Sequence, residues 1–277
     1  MAGTLEIRNL TKDFKVRDGF KRGTLRAANE VNFTLEQGKT IALVGESGSG
    51  KSTVARMIAK LEKPTSGEIL LDGVETPFSG RGIASYRHEV QMVFQDPFAS
   101  LNPFHSIQHH LERPLRLHGR AKTQEEVDTQ VDALLERVNL VPARNVAHRR
   151  PHELSGGQRQ RVAIARALAP GARFLIADEP VSMLDVSIRL GVLNLLARLQ
   201  REDNLGVLYI THDLATARHF SDEIMVMYHG NIVERGPSDD VILNPQHDYT
   251  KTLLAAAPDP ANQGKLREEV RAKLAAN

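Results

Sequence analysis

Three stretches of this chain carry residue types whose spacing suits phosphate chemistry. Gly45-Glu46-Ser47-Gly48-Ser49-Gly50-Lys51-Ser52-Thr53 fits the phosphate-loop pattern, a glycine followed after four free positions by Gly-Lys-Ser/Thr. Glycines at 45, 48 and 50 admit backbone conformations closed to other residues, so consecutive N–H groups can converge on one anion. Lys51 is long enough to reach the β- and γ-phosphates of a nucleotide, and the Ser52 hydroxyl suits Mg2+. The second stretch is Asp178-Glu179, directly behind the apolar run Phe174-Leu175-Ile176-Ala177. Asp178 is placed to hold the water shell of Mg2+, and Glu179 to orient and deprotonate a water aimed at a γ-phosphate. An acidic pair at a strand end says little alone; beside a phosphate loop it supplies the two missing roles.

The third stretch, Leu154-Ser155-Gly156-Gly157-Gln158, opens a helix-forming run that continues to Ala169. Ser155 reads as its N-cap, with two glycines leaving backbone N–H groups bare at the positive end of the helix. One chain thus holds two anion-binding helix ends, an arrangement that makes sense if they clasp one triphosphate from opposite sides. His212 and Gln95 each follow an apolar run, at the carboxyl edge where ligands of open α/β sheets collect. An imidazole there can donate to the γ-phosphate and hold the attacking water; a carboxamide can touch both Mg2+ and water. For each the alternative is an ordinary polar residue closing a strand.

The elements that position these groups are read from periodicity. Ile41-Ala42-Leu43-Val44, Phe174 to Ala177 and Val207-Leu208-Tyr209-Ile210 are continuous apolar runs, as expected of strands buried on both faces of a parallel sheet. A helix over Val54 to Lys60 follows the phosphate loop. Leu5 to Leu10 and Val31 to Leu35 alternate instead, predicting half-exposed antiparallel strands separated by a basic, glycine-containing loop, with a hairpin turn at Glu36-Gln37-Gly38-Lys39. Phe14 falls between those strands. It suits stacking on a purine or closing the core at a strand end, and the residue alone favours the second. Short strands are expected at Glu68 to Gly73, Val90 to Phe94, Ile224 to Tyr228 and Ile232 to Glu234, the last two joined by His229-Gly230-Asn231. From Asp96 to about Ala169 prolines and 3.6-residue periods dominate, with Val127, Val131, Leu134, Leu135 and Val138 on one helical face. This reads as a helical insertion between sheet strands. A helix over Ser187 to Glu202 and a last charged helix over Lys265 to Ala275 complete the expectations.

Composition limits the function classes. The 277 residues include 41% apolar and 25% charged side chains, an ordinary globular mixture able to bury one large core. No stretch approaches the ~20 uninterrupted apolar residues of a membrane span, and the start, Met1 to Glu6, lacks the basic and apolar regions of a secretory signal. The expectation is a cytosolic chain that docks on a membrane only through a partner. The absence of cysteine excludes disulfides, thiolate metal sites and cysteine-held clusters. A net charge of +2 does not suggest nucleic acid, and Arg17, Lys21, Arg22 and Arg26 read as a solvated loop.

In order along the chain, these pieces resemble the ABC-type ATPases. The phosphate loop, Gln95, the Leu154 to Gln158 signature, the Phe174 to Asp178 strand with Glu179, the Ser182-Met183-Leu184-Asp185 loop and His212 cover residues 4–236. The resemblance implies an α/β P-loop NTPase fold with a RecA-like core, an N-terminal antiparallel β subdomain, an inserted helical subdomain (about 96–169) and a C-terminal extension (237–277). It implies ATP and Mg2+ as cofactors, with Ser52, Gln95 and Asp178 at the metal and Glu179, His212 and Gln95 in catalysis. Gly45 to Thr53 would bind the nucleotide, Phe14 would stack on adenine, and Ser155, Gly156, Gly157 and Gln158 would serve the ATP of a second ABC chain, identical or paralogous.

A narrower likeness, in Phe94 to Pro103, Pro151 to Leu154 and Asn244 to Thr250, is to the oligopeptide/dipeptide/nickel importer branch. It implies transmembrane permease subunits as partners, a solute-binding protein acting indirectly, no nucleic acid, and a place on the cytoplasmic face of the membrane. Two departures stand out. Met183 occupies a position usually alanine, and the cysteines many branch members carry in the extension are missing. The alternatives are an accessory ATPase of phosphonate breakdown and a nucleic-acid-associated ABC protein.

Overall fold

Burial on one face or on two divides the strands into separate sheets. The computed structural model describes residues 3–18, 21–80 and 82–256. In chain order it has β1 (Thr4–Asp18), β2 (Lys21–Glu36), β3 (Thr40–Val44), α1 (Lys51–Ile58), β4 (Ser66–Leu71), β5 (Val74–Glu75), α2 (Gly82–Glu89) and β6 (Val90–Val93). A mainly helical stretch follows: α3 (Pro97–Ser100), α4 (Ile107–Leu117), α5 (Gln124–Arg137), α6 (Ala143–Ala147) and α7 (Gly156–Leu168). The chain then returns to the sheet through β7 (Phe174–Asp178), α8 (Val186–Glu202), β8 (Gly206–Thr211), α9 (Leu214–Phe220), β9 (Glu223–Tyr228) and β10 (Asn231–Pro237). It goes on to α10 (Ser238–Leu243) and α11 (Asp248–Ala256).

The apolar runs become the centre of a six-stranded sheet in the order β10-β9-β3-β8-β7-β6, parallel except for β10. Every residue of β3, β7 and β8 is buried, which is why these strands carry apolar runs rather than alternation, with polar Thr40, Asp178 and Thr211 only at their ends. Ile41, Leu43, Ile176, Leu208 and Ile210 face one core with Val54, Met57 and Ile58 of α1 and Leu5, Ile7 and Leu35 of the small sheet. Ala42, Val44, Leu175, Ala177 and Tyr209 face the other, shared with Leu111, Leu135, Ile164 and Leu196 of the helices. The small sheet, β2-β1-β4-β5, is antiparallel.

The pairing of β3 with β8 ends at Val44↔Thr211, that of β7 with β8 at Asp178↔Ile210, and that of β6 with β7 at Val93↔Ala177. The strands that precede the phosphate loop, His212, Glu179 and Gln95 are therefore neighbours, and they end together along one edge.

Three expectations need correction. The basic segment between the first two strands is not a loop: pairing of β1 with β2 runs on to Asp18↔Lys21. The alternation breaks because the register shifts between Ile7 and Asp13, and cross-strand pairing carries the ladder onward. One such link is the twin bond from Arg26 to Asp13, Nε–Oδ1 2.8 Å and Nη2–Oδ2 3.1 Å. Phe14 consequently lies within β1, opposite Leu25. Glu36 to Lys39 is no hairpin either, since β2 and β3 belong to different sheets and the turn crosses between them. Finally, β10 extends to Pro237, three residues beyond expectation, because its edge pairing to β9 continues to Glu223. The helix expected over Lys265 to Ala275 lies outside the described residues.

Candidate active site

The phosphate loop is wrapped tightly against its surroundings, which accounts for two of its glycines. A Cβ at Gly50, where φ is +110°, would stand 2.0 Å from the Ala27 carbonyl oxygen, and one at Gly45 2.2 Å from that of Met227. The crest, Glu46 to Gly48, is exposed, as is Ser52, and Thr53 is half-buried. Lys51 is buried, with Nζ donating to the carbonyls of Gly45 and Glu46, both at 2.7 Å, and lying 3.5 Å from Ser49 Oγ. Burial pushes the Lys51 pKa down, opposed by the charges of Glu179, Asp178 and Glu46. The ammonium is thus stored on loop carbonyls, where nearby carboxylates oppose the effect of burial.

The two oxygen groups expected at a metal do meet. Ser52 Oγ donates to Asp178 Oδ1 at 3.1 Å, joining the first turn of α1 to the end of β7. Burial raises the Asp178 pKa, while the Ser52 bond works against the rise. A hydroxyl and a carboxylate facing each other at the mouth of a phosphate loop are the hard oxygen donors that a small divalent cation prefers.

Glu179 is fixed more firmly than its position in sequence suggests. Its backbone is left-handed, φ +44°, a conformation uncommon away from glycine and found where surrounding structure over-determines it. Its N–H donates to Ile210 O at 2.9 Å, and its carbonyl accepts the Ser182 N–H at 3.2 Å and hydroxyl at 3.0 Å. The side chain is the point where other expected groups converge. Gln95 Nε2 donates to Glu179 Oε2 at 3.1 Å, and His212 Nδ1 stands 3.4 Å from the same oxygen. Gln95, Glu179 and His212, spread over 118 positions by residue number, are one cluster.

The signature stretch is built separately. Ser155 caps α7, its hydroxyl accepting the Gln158 N–H at 3.3 Å, while Gln158 Oε1 accepts the Ser155 N–H at 3.0 Å. Gly157 proves to be a packing glycine as well, because a Cβ there would lie 2.6 Å from Ile188 Cγ2; at Gly156 the nearest atom is 3.5 Å away. Neither Ser155 nor Gln158 bonds to the phosphate loop among the described residues. Phe14 is half-buried, with Lys12 Nζ 4.9 Å from its ring centre. Sequence reading missed Tyr249, whose hydroxyl accepts the Glu46 N–H at 3.0 Å across 203 positions; no local pattern announces such a contact.

The ABC transporter family profile matches residues 28–182, a span containing the loop, Gln95, the signature and Asp178-Glu179. The chain belongs to the ABC transporter family. A second profile, the C-terminal region of oligopeptide/dipeptide transporters, matches residues 233–277 of the chain. The chain is 46% identical to the oligopeptide transport ATP-binding protein OppF of Bacillus subtilis (strain 168) over 258 residues, 92% of this chain and 83% of that protein. It is 44% identical to the oligopeptide transport ATP-binding protein AppF of the same organism over 270 residues, 96% and 81% of the two chains. The dimeric post-hydrolysis structure of the ATP-binding cassette MJ0796, bound to ADP and Pi, matches with a TM-score of 0.75 at 32% identity, covering 84% of this chain and 98% of that one. The fold is that of an ABC ATPase.

Proposed function

We propose that this ABC ATPase is the subunit that drives a membrane importer of peptides or a related solute, and that its hydrolytic centre is the cluster around Glu179. The convergence of Gln95 and His212 on Glu179 Oε2, beside Lys51 and the Ser52–Asp178 pair, carries this reading. Lys51 leaves the loop carbonyls for the β- and γ-phosphates of ATP. Ser52, Asp178 and Gln95 would hold Mg2+, which neutralises phosphate charge when bound. Glu179 orients a water and takes its proton as the water oxygen attacks the γ-phosphorus and the bond to the β–γ bridging oxygen breaks. His212 steadies Glu179 and faces the γ-phosphate.

The remaining groups act between chains. Ser155, Gly156, Gly157 and Gln158 would contact the ATP held by a second ABC chain, identical or paralogous, while Phe14 stacks on adenine. ATP bound by both chains favours the closed pair, and hydrolysis removes that bridge. Among the described residues no helix is long and apolar enough to cross a membrane, so transport calls for separate permease subunits, with a solute-binding protein acting through them. The Phe98 to Asn102 segment, three residues past Gln95 and carrying Phe98 at 50% exposure, is suited to that contact. On this reading residues 1–236 are the cassette, 96–169 its helical insertion and 237–277 the extension, at the cytoplasmic face of the membrane. The resemblance to OppF and AppF supports the peptide class.

The test is Glu179→Gln. ATP affinity should stay within a few-fold while turnover falls on the order of 10²–10⁴-fold, the range of a general base; wild-type turnover would remove Glu179 from that role. Permease subunits should co-purify from solubilised membranes. Soluble lyase subunits or nucleic acid in their place would overturn the importer assignment.

A further inference from the structure

The groups assigned to the phosphate site come from the sheet edge and the helical stretch, yet one contact arrives from the far end of the described chain. The peptide unit joining Gly45 to Glu46 is held at both ends: its carbonyl accepts from Lys51 Nζ at 2.7 Å and its N–H donates to the Tyr249 hydroxyl at 3.0 Å. Tyr249 is 9% exposed. Its ring lies against Tyr228 with centroids 4.1 Å apart. Tyr228 ends β9, and the turn that follows makes a second bond to the loop, from Gly230 N–H to Ser49 O at 2.9 Å.

The segment that carries Tyr249 is itself tied down. Glu234 of β10 accepts the N–H groups of Gln246 at 2.8 Å and His247 at 3.0 Å, and His247 Nδ1 accepts the Tyr249 N–H at 3.1 Å. A continuous set of bonds runs from the second sheet edge to the crest of the phosphate loop.

We propose that Tyr249 is a positioning residue of the nucleotide site, holding the Gly45–Glu46 peptide in place when Lys51 leaves its carbonyl for the phosphates. The reasoning rests on the assignment of the loop to ATP. While Lys51 is stored, two carbonyls of the loop are neutralised by its ammonium; once it moves, those oxygens lose that partner as the negative charge arrives. A flip of the Gly45–Glu46 peptide would aim a carbonyl at the phosphates and break the bond to Tyr249. That bond opposes the flip, so the segment around α11 becomes part of the nucleotide site.

Tyr249→Phe in the full chain removes the hydroxyl and keeps the ring on Tyr228. One neutral hydrogen bond corresponds to an effect on the order of 3- to 10-fold. The Kd for Mg-ATP and the KM should rise by that factor, with kcat within about twofold because Glu179 is untouched. Amide exchange at Glu46 in the nucleotide-free chain should accelerate by a similar factor. Glu234→Ala, which touches neither loop nor nucleotide, should shift Kd in the same direction, and adding it to Tyr249→Phe should cost less than the sum of the two. A Kd unchanged in Tyr249→Phe overturns the positioning role, and unchanged exchange at Glu46 overturns the contact. Failure of the wild-type chain to bind nucleotide sinks the ATP assignment instead, and is visible in the same titration.

Discussion

At the scale of single residues, this site depends on which oxygen each donor finds. Glu179 Oε2 takes Gln95 and lies against His212, so the carboxylate proposed to abstract a proton is held by two side chains from different strand ends. This predicts a particular pattern of losses. His212→Ala should lower kcat on the order of 10- to 100-fold with KM little changed, since the base loses its orientation rather than the nucleotide its grip. In a Glu179→Gln background the same change should cost much less, because its main target is already gone. Full additive losses in single-turnover assays would place the action of His212 on the phosphate alone. The residue types were legible in sequence because phosphate chemistry demands them at strand ends. The left-handed backbone of Glu179 was not, since its bonds to Ile210 on the neighbouring strand and to the Ser182 N–H and hydroxyl form only in the folded arrangement.

At the scale of elements, the sequence revealed what is buried on two faces and blurred what depends on pairing. β3, β7 and β8 are continuous apolar runs and α7 carries its own capping box, so their places could be read locally. The far half of β1 is polar and interrupted by register shifts, and only β2 beside it makes it a strand. The end of α1 shows a third case, a charged side chain enclosed. Lys60 closes that helix with a left-handed φ of +54°. Its ammonium donates to the carbonyls of Thr76 at 2.5 Å and Pro77 at 2.6 Å, between the rings of Phe78 and Tyr86. Burial, opposed by Glu75, lowers its pKa from 10.5 to about 8. The unfolded chain therefore holds this proton more tightly than the folded one. Between about pH 8 and 10.5 the contribution of Lys60 makes stability rise with pH, and below about pH 8 it adds no pH dependence. Relative to Lys60→Met, wild-type stability in urea should climb across that window. Parallel curves for the two proteins would show that the enclosure does not disfavour the charge.

At the scale of the whole molecule, the strand order does what no single motif can. Because β3, β8, β7 and β6 are neighbours ending together, the loop, His212, Glu179 and Gln95 form a row although they are scattered along the chain. Among the described residues the signature makes no hydrogen bond to the loop, which follows if its phosphate belongs to another copy. Two variants with opposite defects test this. Lys51→Ala spoils a loop and leaves a sound signature. Gly156→Asp puts a negative charge where the partner's phosphate would dock, at a position where a Cβ meets only ordinary contact with Leu184 at 3.5 Å. Each should be nearly inactive alone. In a mixed pair one site inherits both defects and the other inherits neither. Random pairing of equal amounts makes half the dimers mixed, so about a quarter of wild-type sites should be restored in a two-fold symmetric pair. If the wild-type chain needs a paralogue for turnover, the same cross is made with one variant on each chain. Mixed dimers that form yet stay as inactive as their parents would show that each chain uses its own signature, and the two-chain site would have to be abandoned.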